Sequence, residues 1–500
     1  MSKKLIIFLF VLLFAAASSA CADNNAPAAE GRDDIVINIT ADIANLDPAH
    51  TASSPDFVMF HQIFSRLVDD SADGFVPSLA ESWEVAADGL SYTFNLHRDV
   101  LFHNGDRLTA SDIVFTFERA MASPYTGAPL TPISGVTALD DYTVRFDLHH
   151  QFAPFLSALQ MIWFVGENSV TAAGDAFGRH PIGTGPYMFV SHQPGQSIYL
   201  TRFDDYFGET PQIKDVRFMV ILNPATVSIA IEAGDIDLAS SAPPGDIGRL
   251  STIDRLDTTP FETRHLNFIT LNVNAYPLDN PLVRQAIAYS IDRAGIITMV
   301  ADGFGVPASG FLNSLTFGYS PAVTINPLNT ERARELLAEA GYPDGLEMSI
   351  KTSGGGHFDS LAQVLQGTLA QAGIRAQIEL MDQAAFIGDL FTSNYEIGVL
   401  AMALGADADA WSVVFTSEGG MNMTGYGNPQ IDALFDHARV LTNDNERIEI
   451  YREISQHIND TAAFIPVYFT STSLVHDRNL RLGWIDANGS IRVSQMRWEQ

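Results

Sequence analysis

Two patterns of apolar positions divide the chain. In the first half, apolar residues alternate with polar ones in short runs closed by turn residues, the pattern of half-buried strands. Such runs are Ile35 to Thr40, Tyr92 to Leu96, Val100 to His103, Tyr142 to Leu148, Tyr187 to Val190, Ser197 to Arg202 and Val216 to Val220. Phe60, Ile63, Phe64 and Leu67 recur at helical spacing and predict a helix from about 57 to 67. Thr109 caps another, with Asp112 completing a capping box and Ile113, Val114, Phe117 and Ala120 on one face. An amphipathic turn of helix is predicted around Trp83, and turns at Asp88-Gly89 and Asn104-Gly105.

The second half is richer in long amphipathic helices. Asn280 caps a helix that starts at Pro281, whose fixed φ suits the first helical position, and Val283, Ile287 and Ile291 line its inner face. Asn329 caps the next, with Leu336, Leu337 and Ala340 inside and Gly341 ending it in the left-handed position. Strand Glu347 to Lys351, helix His357 to Ala372 and strand Gln377 to Leu380 form a β-α-β unit. Strands and helices mixed in this way predict an α/β or mixed α+β fold.

Composition narrows the class. A chain of 500 residues is too long for one small core, and 46% hydrophobic with 10% aromatic residues is a globular composition. Lys3 and Lys4 precede an apolar run from Leu5 to Ala17 and then Ser18-Ser19-Ala20-Cys21. That run is short for a bilayer span and has the layout of a secretory signal over residues 1–20. Residues 21–34, with Pro27 and Gly31 and no apolar face, form a tether. Cys21 is the only cysteine, so the exported part folds without internal disulfides. The formal net charge of −31 opposes binding to nucleic acid or to anionic headgroups.

Several segments, in order, carry a resemblance. They are Pro77 to Arg119, PIGTGPY at Pro181 to Tyr187, RFDDYFGE at Arg202 to Glu209 and EAGDIDLA at Glu232 to Ala239. LNVNAYPLDNPLVRQAIAYSIDR at Leu271 to Arg293, TERARELLAEAGY at Thr330 to Tyr342, LAQAGIRAQI at Leu369 to Ile378 and GYGNPQIDALFDHAR at Gly425 to Arg439 follow. Together they resemble the family 5 solute-binding proteins, the extracytoplasmic receptors of peptide and nickel ABC importers. The resemblance implies a two-lobed periplasmic-binding-protein-like fold of the cluster C type, with an extra subdomain in the first lobe. Lobe I then spans 35–268, with an inserted subdomain at about 54–185, lobe II spans 269–470, and 471–500 returns to lobe I. The crossings are expected near Arg264 to Asn272 and Phe464 to Leu474. It further implies a lipid on Cys21 that anchors a monomeric receptor outside the cytoplasm, with a short peptide as ligand and a permease with its ATPase as partners. A nickel or metal-chelate receptor, with His357, Met421 and Met423 on the ligand side, is the alternative within the family; a surface sensor without transport is the alternative outside it.

The sequence carries no GxSxG elbow, HExxH pair, P-loop or EF-hand series, so no enzyme activity, cofactor or metal site is expected. His149-His150 reads as a loop pair, since adjacent side chains on a strand point apart. The informative stretch is GADADAW, Gly405 to Trp411. In peptide-binding members a loop aspartate pairs with the ligand's ammonium group, and the resemblance assigns this role to Asp407, with Asp409 next. A carboxylate in a poorly hydrated cleft suits a primary ammonium, and GADADAW supplies no cation of its own. Trp411 either walls a side-chain pocket or packs its loop onto the lobe. His357 resembles a position near the ligand's C-terminal end, against the plainer reading of a helix start. Lys351 is the candidate for the ligand carboxylate.

Overall fold

A computed structural model describes residues 31–51, 54–71, 74–240, 242–354, 357–485 and 491–499; the signal segment, most of the tether and Cys21 lie outside them. The N-terminal strand β1 (Asp34–Ile39) leads to helix α1 (Ser54–Ile63). An antiparallel four-stranded sheet follows, from β2 (Ala80–Val85), β3 (Ser91–Leu96), β4 (Ile133–Asp140) and β5 (Thr143–Leu148), in the order β2-β3-β5-β4. Helix α2 (Ala110–Ala122) packs on it, burying Ile113, Phe117 and Ala120 against Phe94 and Phe146. The box at its start forms: the Thr109 N–H donates to Asp112 Oδ2 at 3.0 Å. Thr116 and Asp112 are buried too, and Val114 sits half-buried at the margin of that face.

Two expectations here are corrected. Residues around Trp83 form strand β2, because Trp83 pairs with Phe94 across the ladder and rests on its ring at 6.2 Å. Cross-strand packing outweighs a local helical pattern of one turn. Val100 to His103 is not a strand: the chain reverses at Asn104-Gly105, and a single bridge, Leu101 with Arg107, forms before it leaves. Val100 and Phe102 are nonetheless fully buried, so the apolar alternation marks burial without a ladder.

Among the described residues the main sheet has eleven strands, ten in one order and the short strand Gly305–Pro307, which pairs with Tyr468 to Thr470 off that order. One half of it adds β6 (Tyr187–Gln193), β7 (Ser197–Arg202), β8 (Asp215–Val220) and β9 (Leu238–Ala239) to β1. The GTG turn before β6 is set by close approach, since a Cβ on Gly183 would stand 2.0 Å from the Ile63 carbonyl oxygen. The other half comprises β11 (Leu346–Ser353), β12 (Ile374–Met381) and β13 (Ile397–Met402). Its β-α-β unit is the predicted one, with β11 and β12 parallel and a helix over His357–Ala372 between them. Asn280 and Asn329 cap their helices as expected, and Gly341 has φ +98°.

Two long strands join the parts: β10 (Leu256–Leu271) and β14 (Phe464–Asp477), antiparallel partners at the centre of the order β12-β11-β13-β10-β14-β9-β1-β8-β7-β6. Leu256 to Glu262 pairs with the far end of β14, beside β9; Leu266 to Thr270 pairs with its near end, beside β13. The register slips between those stretches, at Glu262/Leu266, and again within the second, at Asn267/Phe268. Slips of this kind bend and locally loosen a ladder. Leu480, Ile491, Val493 and Met496 pack back into the core around β1, α1 and β8. Among the described residues no helix is long and apolar enough to cross a membrane.

Candidate functional site: the inter-lobe face

The slipped stretch of β10 and β14 carries polar side chains where a buried ladder would carry apolar ones. Asn267 and Tyr468 are paired across the ladder, and both reach Nε2 of His357, at 3.0 and 2.9 Å. Asn267 also donates Nδ2 to Thr470 Oγ1 at 3.0 Å, and Thr263 Oγ1 donates to the Thr470 carbonyl at 2.8 Å. His357 stands at the first residue of α3 (His357–Ala372), exposed to solvent, while Asn267 is buried. Burial of its surroundings lowers the His357 pKa; His265 is lowered by burial first and by the His357 charge second. Both rings are therefore neutral at neutral pH and able to donate as well as accept.

The GADADAW stretch follows β13 and divides in two. Ala403 and Gly405 are exposed, whereas Asp407, Ala408, Asp409 and Trp411 are buried. Cations for the acids come from two later helices, α4 (Pro429–Val440) and α5 (Asp444–Thr461). Arg447 of α5 reaches Asp407 at 2.8 Å, stacks over the Phe317 ring at 4.4 Å and donates Nε to the Ala438 carbonyl. Arg439 of α4 reaches Asp409 at 2.7 Å and Ser412 Oγ at 2.6 Å. The backbone of the loop is pinned as well: the Phe317 N–H donates to Ala406 and the Ala408 N–H to Phe317. The absence of a cation near Asp407, true within GADADAW, does not hold in space.

Electrostatics show the cost of this burial. Asp407 is pushed up by desolvation, against Arg447 pulling it down. Asp409 is pushed up to about 6 by burial, with Arg439 opposing and Asp407 adding to the rise. Arg447, drawn down by burial, is raised overall by Asp407. Trp411, 2% exposed, stacks on Phe415 at 5.7 Å and contacts Phe311 and Phe464, which is core packing. Lys351 donates to Asp389 at 2.8 Å and to the Asn394 carbonyl at 2.6 Å. Of the sequence candidates, then, the structure brings Asp407, Asp409 and Trp411 together in one buried loop. His357 stands apart on the β10–β14 ladder, and Lys351 is held at the edge of the β-α-β unit. Met423 is buried and its carbonyl accepts from Tyr395, while Met421 packs against the same cluster. His149 and His150 are exposed at the end of β5.

Residues 74–423 match the family described as bacterial extracellular solute-binding proteins, family 5. The chain belongs to that family. It is 29% identical over 447 residues to heme-binding protein A of Haemophilus influenzae, covering 81% of each chain. To di/tripeptide-binding protein 2 of Pseudomonas aeruginosa it is 26% identical over 461 residues, covering 84% of this chain and 86% of the relative. The crystal structure of an ABC transporter substrate binding protein from Listeria monocytogenes superposes with a TM-score of 0.87 at 25% identity, covering 94% of this chain and all of that one. These relatives are binding proteins, and a two-lobed solute-binding fold is what the chain shares with them.

Arg439, Arg447, Asn267 and Tyr468 escaped the sequence reading. Arg447 lies forty residues from its acid with no local pattern to join them. Asn267 and Tyr468 carried a signal: polar or amphipathic residues within otherwise apolar crossing strands.

Proposed function

We propose that this protein is the extracytoplasmic receptor of an ABC importer, taking a short peptide or peptide-like solute between lobes that close about β10 and β14. The carrying observation is the pair of central strands whose register slips where the sheet passes between lobes, with the His357, Asn267, Tyr468 and Thr470 side chains linked across them. A peptide is rich in backbone donors and acceptors, and neutral amide, phenol, hydroxyl and imidazole groups match it without demanding a particular side chain. The di/tripeptide-binding relative supports the same class of ligand.

In this reading His357 is the first candidate for direct ligand contact, and exposed Gly405 offers backbone ahead of the buried acids. Asp407 and Asp409 are proposed to act through the loop they anchor, since each carboxylate already has an arginine. Trp411 supports the same loop from within, and Lys351 takes the ligand carboxylate only by giving up Asp389. A lipid on Cys21 would tether the receptor beside its permease, with membrane affinity supplied by buried methylenes. Lobe I over 35–268, with its insert, and lobe II over 269–470 would then move as the two bodies, residues 471–500 travelling with the first.

The test is to denature natively purified protein and identify what it releases by mass spectrometry. Short peptides or γ-linked analogues are expected. A released metal chelate or haem, with no peptide bound on add-back, overturns the reading.

A further inference from the structure

The loop that carries Asp409 is tied to the opposite lobe through Arg439. Its guanidinium holds Asp409 Oδ1 at 2.7 Å and Ser412 Oγ at 2.6 Å, while its backbone carbonyl accepts the N–H of Ala153 at 2.7 Å. Ala153 belongs to the first lobe: its neighbours Phe152 and Phe155 are buried in the core of the four-stranded sheet, where Tyr92 rests on Phe155 at 4.2 Å. Arg439 is in the last turn of α4, within the second lobe. Neither Ala153 nor Arg439 lies in β10 or β14, so this contact joins the lobes outside the strands that connect them. The field of Arg447, the partner of Asp407, also reaches Tyr92.

We propose that Arg439 is a two-sided positioning residue that couples the 407–412 loop to lobe closure, its side chain fixing the loop and its carbonyl latching Ala153 of the other lobe. A helix C-terminus has unsatisfied carbonyls, and the Arg439 carbonyl, in the last turn of α4, has that free valence for an external donor. Ile431, Phe435 and Ala438 pack α4 into the core, and the ion pair to Asp409 with the hydrogen bond to Ser412 ties its last turn, and so the direction of that carbonyl, to the loop. Loosening the loop therefore releases the latch, and by linkage loosening the latch frees the loop by the same factor.

The proposal rests on the closing-lobe reading but not on the identity of the solute, and its test uses none. Hydrogen exchange is followed by mass spectrometry on the full chain without ligand, with circular dichroism checking the fold of each variant. In the unaltered protein the Ala153 amide should exchange at least tenfold more slowly than a free amide. Asp409→Asn, or Ser412→Ala should that variant fail to fold, should speed Ala153 exchange severalfold although the substitution lies in the other lobe. Ala153→Pro, which removes the donor, should speed exchange of the Asp409 and Ala410 amides by a similar factor. Asp436→Ala, which removes an exposed partner of Arg439, should change neither. An unprotected Ala153 amide in the unaltered protein overturns the proposal. So does a response confined to the substituted lobe, or a change at Ala153 without the reciprocal change in the loop. Solute binding that persists after such a result would leave the receptor reading standing and remove only the latch.

Discussion

The two stretches singled out for ligand contact, the 405–411 loop and the start of α3, solve opposite problems. In the loop, charge is buried and fully engaged: Asp407 and Asp409 are 6% and 8% exposed, and each faces its own arginine. At α3, an exposed imidazole sits in a network of neutral groups. A buried ion pair is costly to break because the survivor is left unsolvated, whereas a neutral donor at a wet surface exchanges partners at little cost. The comparison teaches that a carboxylate in a sequence motif marks a fixed piece of architecture as readily as a ligand anchor, and that the groups free to change partners are the uncharged ones.

The sharpest way to break that comparison is to remove a cation from the loop. Arg447→Met leaves Asp407 buried without its cation and, among the described residues, with only the Asp409 N–H donating to it, for which about 3–5 kcal/mol of stability is the expected loss by urea unfolding. The double variant Arg447→Met with Asp407→Leu should recover much of it, because well-packed apolar groups can replace a buried pair. A single variant as stable as the parent would show that Asp407 has other support and returns it to the pool of available ligand anchors.

The α3 side predicts the converse. His357→Ala should leave the unfolding midpoint within about 0.5 kcal/mol, since the ring is exposed. It should weaken binding of the released solute roughly three- to tenfold by calorimetry, the worth of one or two neutral hydrogen bonds of about 1 kcal/mol. Loss of stability with unchanged affinity would exchange the roles of the two regions.

How much of this was legible beforehand follows from where the interactions lie along the chain. The β-α-β unit, the caps at Asn280 and Asn329 and the Thr109 box are local, so residue spacing carries them. The Trp83 strand was misread because its partner is Phe94, across a ladder that a one-turn pattern does not reveal. The ordered motifs gave the family. They could not give the pairing of Asp407 with Arg447 or of Asp409 with Arg439, because those contacts depend on how α4 and α5 dock on the loop. Lipidation of Cys21 rests on sequence alone, and Cys21→Ser releasing the protein from the membrane fraction is the outcome expected of it.

Proton linkage gives a finer view of the loop. Burial raises the folded-state pKa of Asp409 to about 6, above its unfolded value. Between those values the folded protein binds more protons, so the contribution of Asp409 to stability falls as pH rises through that window and improves as pH drops below about 6. Asp407, Arg439 and Arg447 face the group, and Asp436 holds the far side of Arg439. Set against Asp409→Asn, which cannot titrate, the parent should gain about 1 kcal/mol on going from pH 7 to pH 5 in paired urea titrations. A difference independent of pH would mean that Arg439 holds Asp409 ionised across that range, and that the ion pair outweighs burial.

The smallest effect expected is at Lys351, which separates being a cation from being an available one. Its ammonium lies at the rim of the β-α-β unit, with 12% of the side chain exposed, and is shared between Asp389 and the Asn394 carbonyl. The Asp389 carboxyl is held below its ordinary pKa, mainly by the hydrogen bond from Lys351, so the pair is formed and not merely near. An ion pair at the surface is screened by solvent and contributes little. Lys351→Met keeps the packing of the stem along the strand and removes only the charge. It should therefore lower stability only slightly and leave solute affinity unchanged, with salt addition narrowing the gap between parent and variant. A fall in affinity confined to solutes with a free C-terminal carboxylate would show that Lys351 leaves Asp389 for the ligand, and the line between committed and available groups would then have to be redrawn to include it.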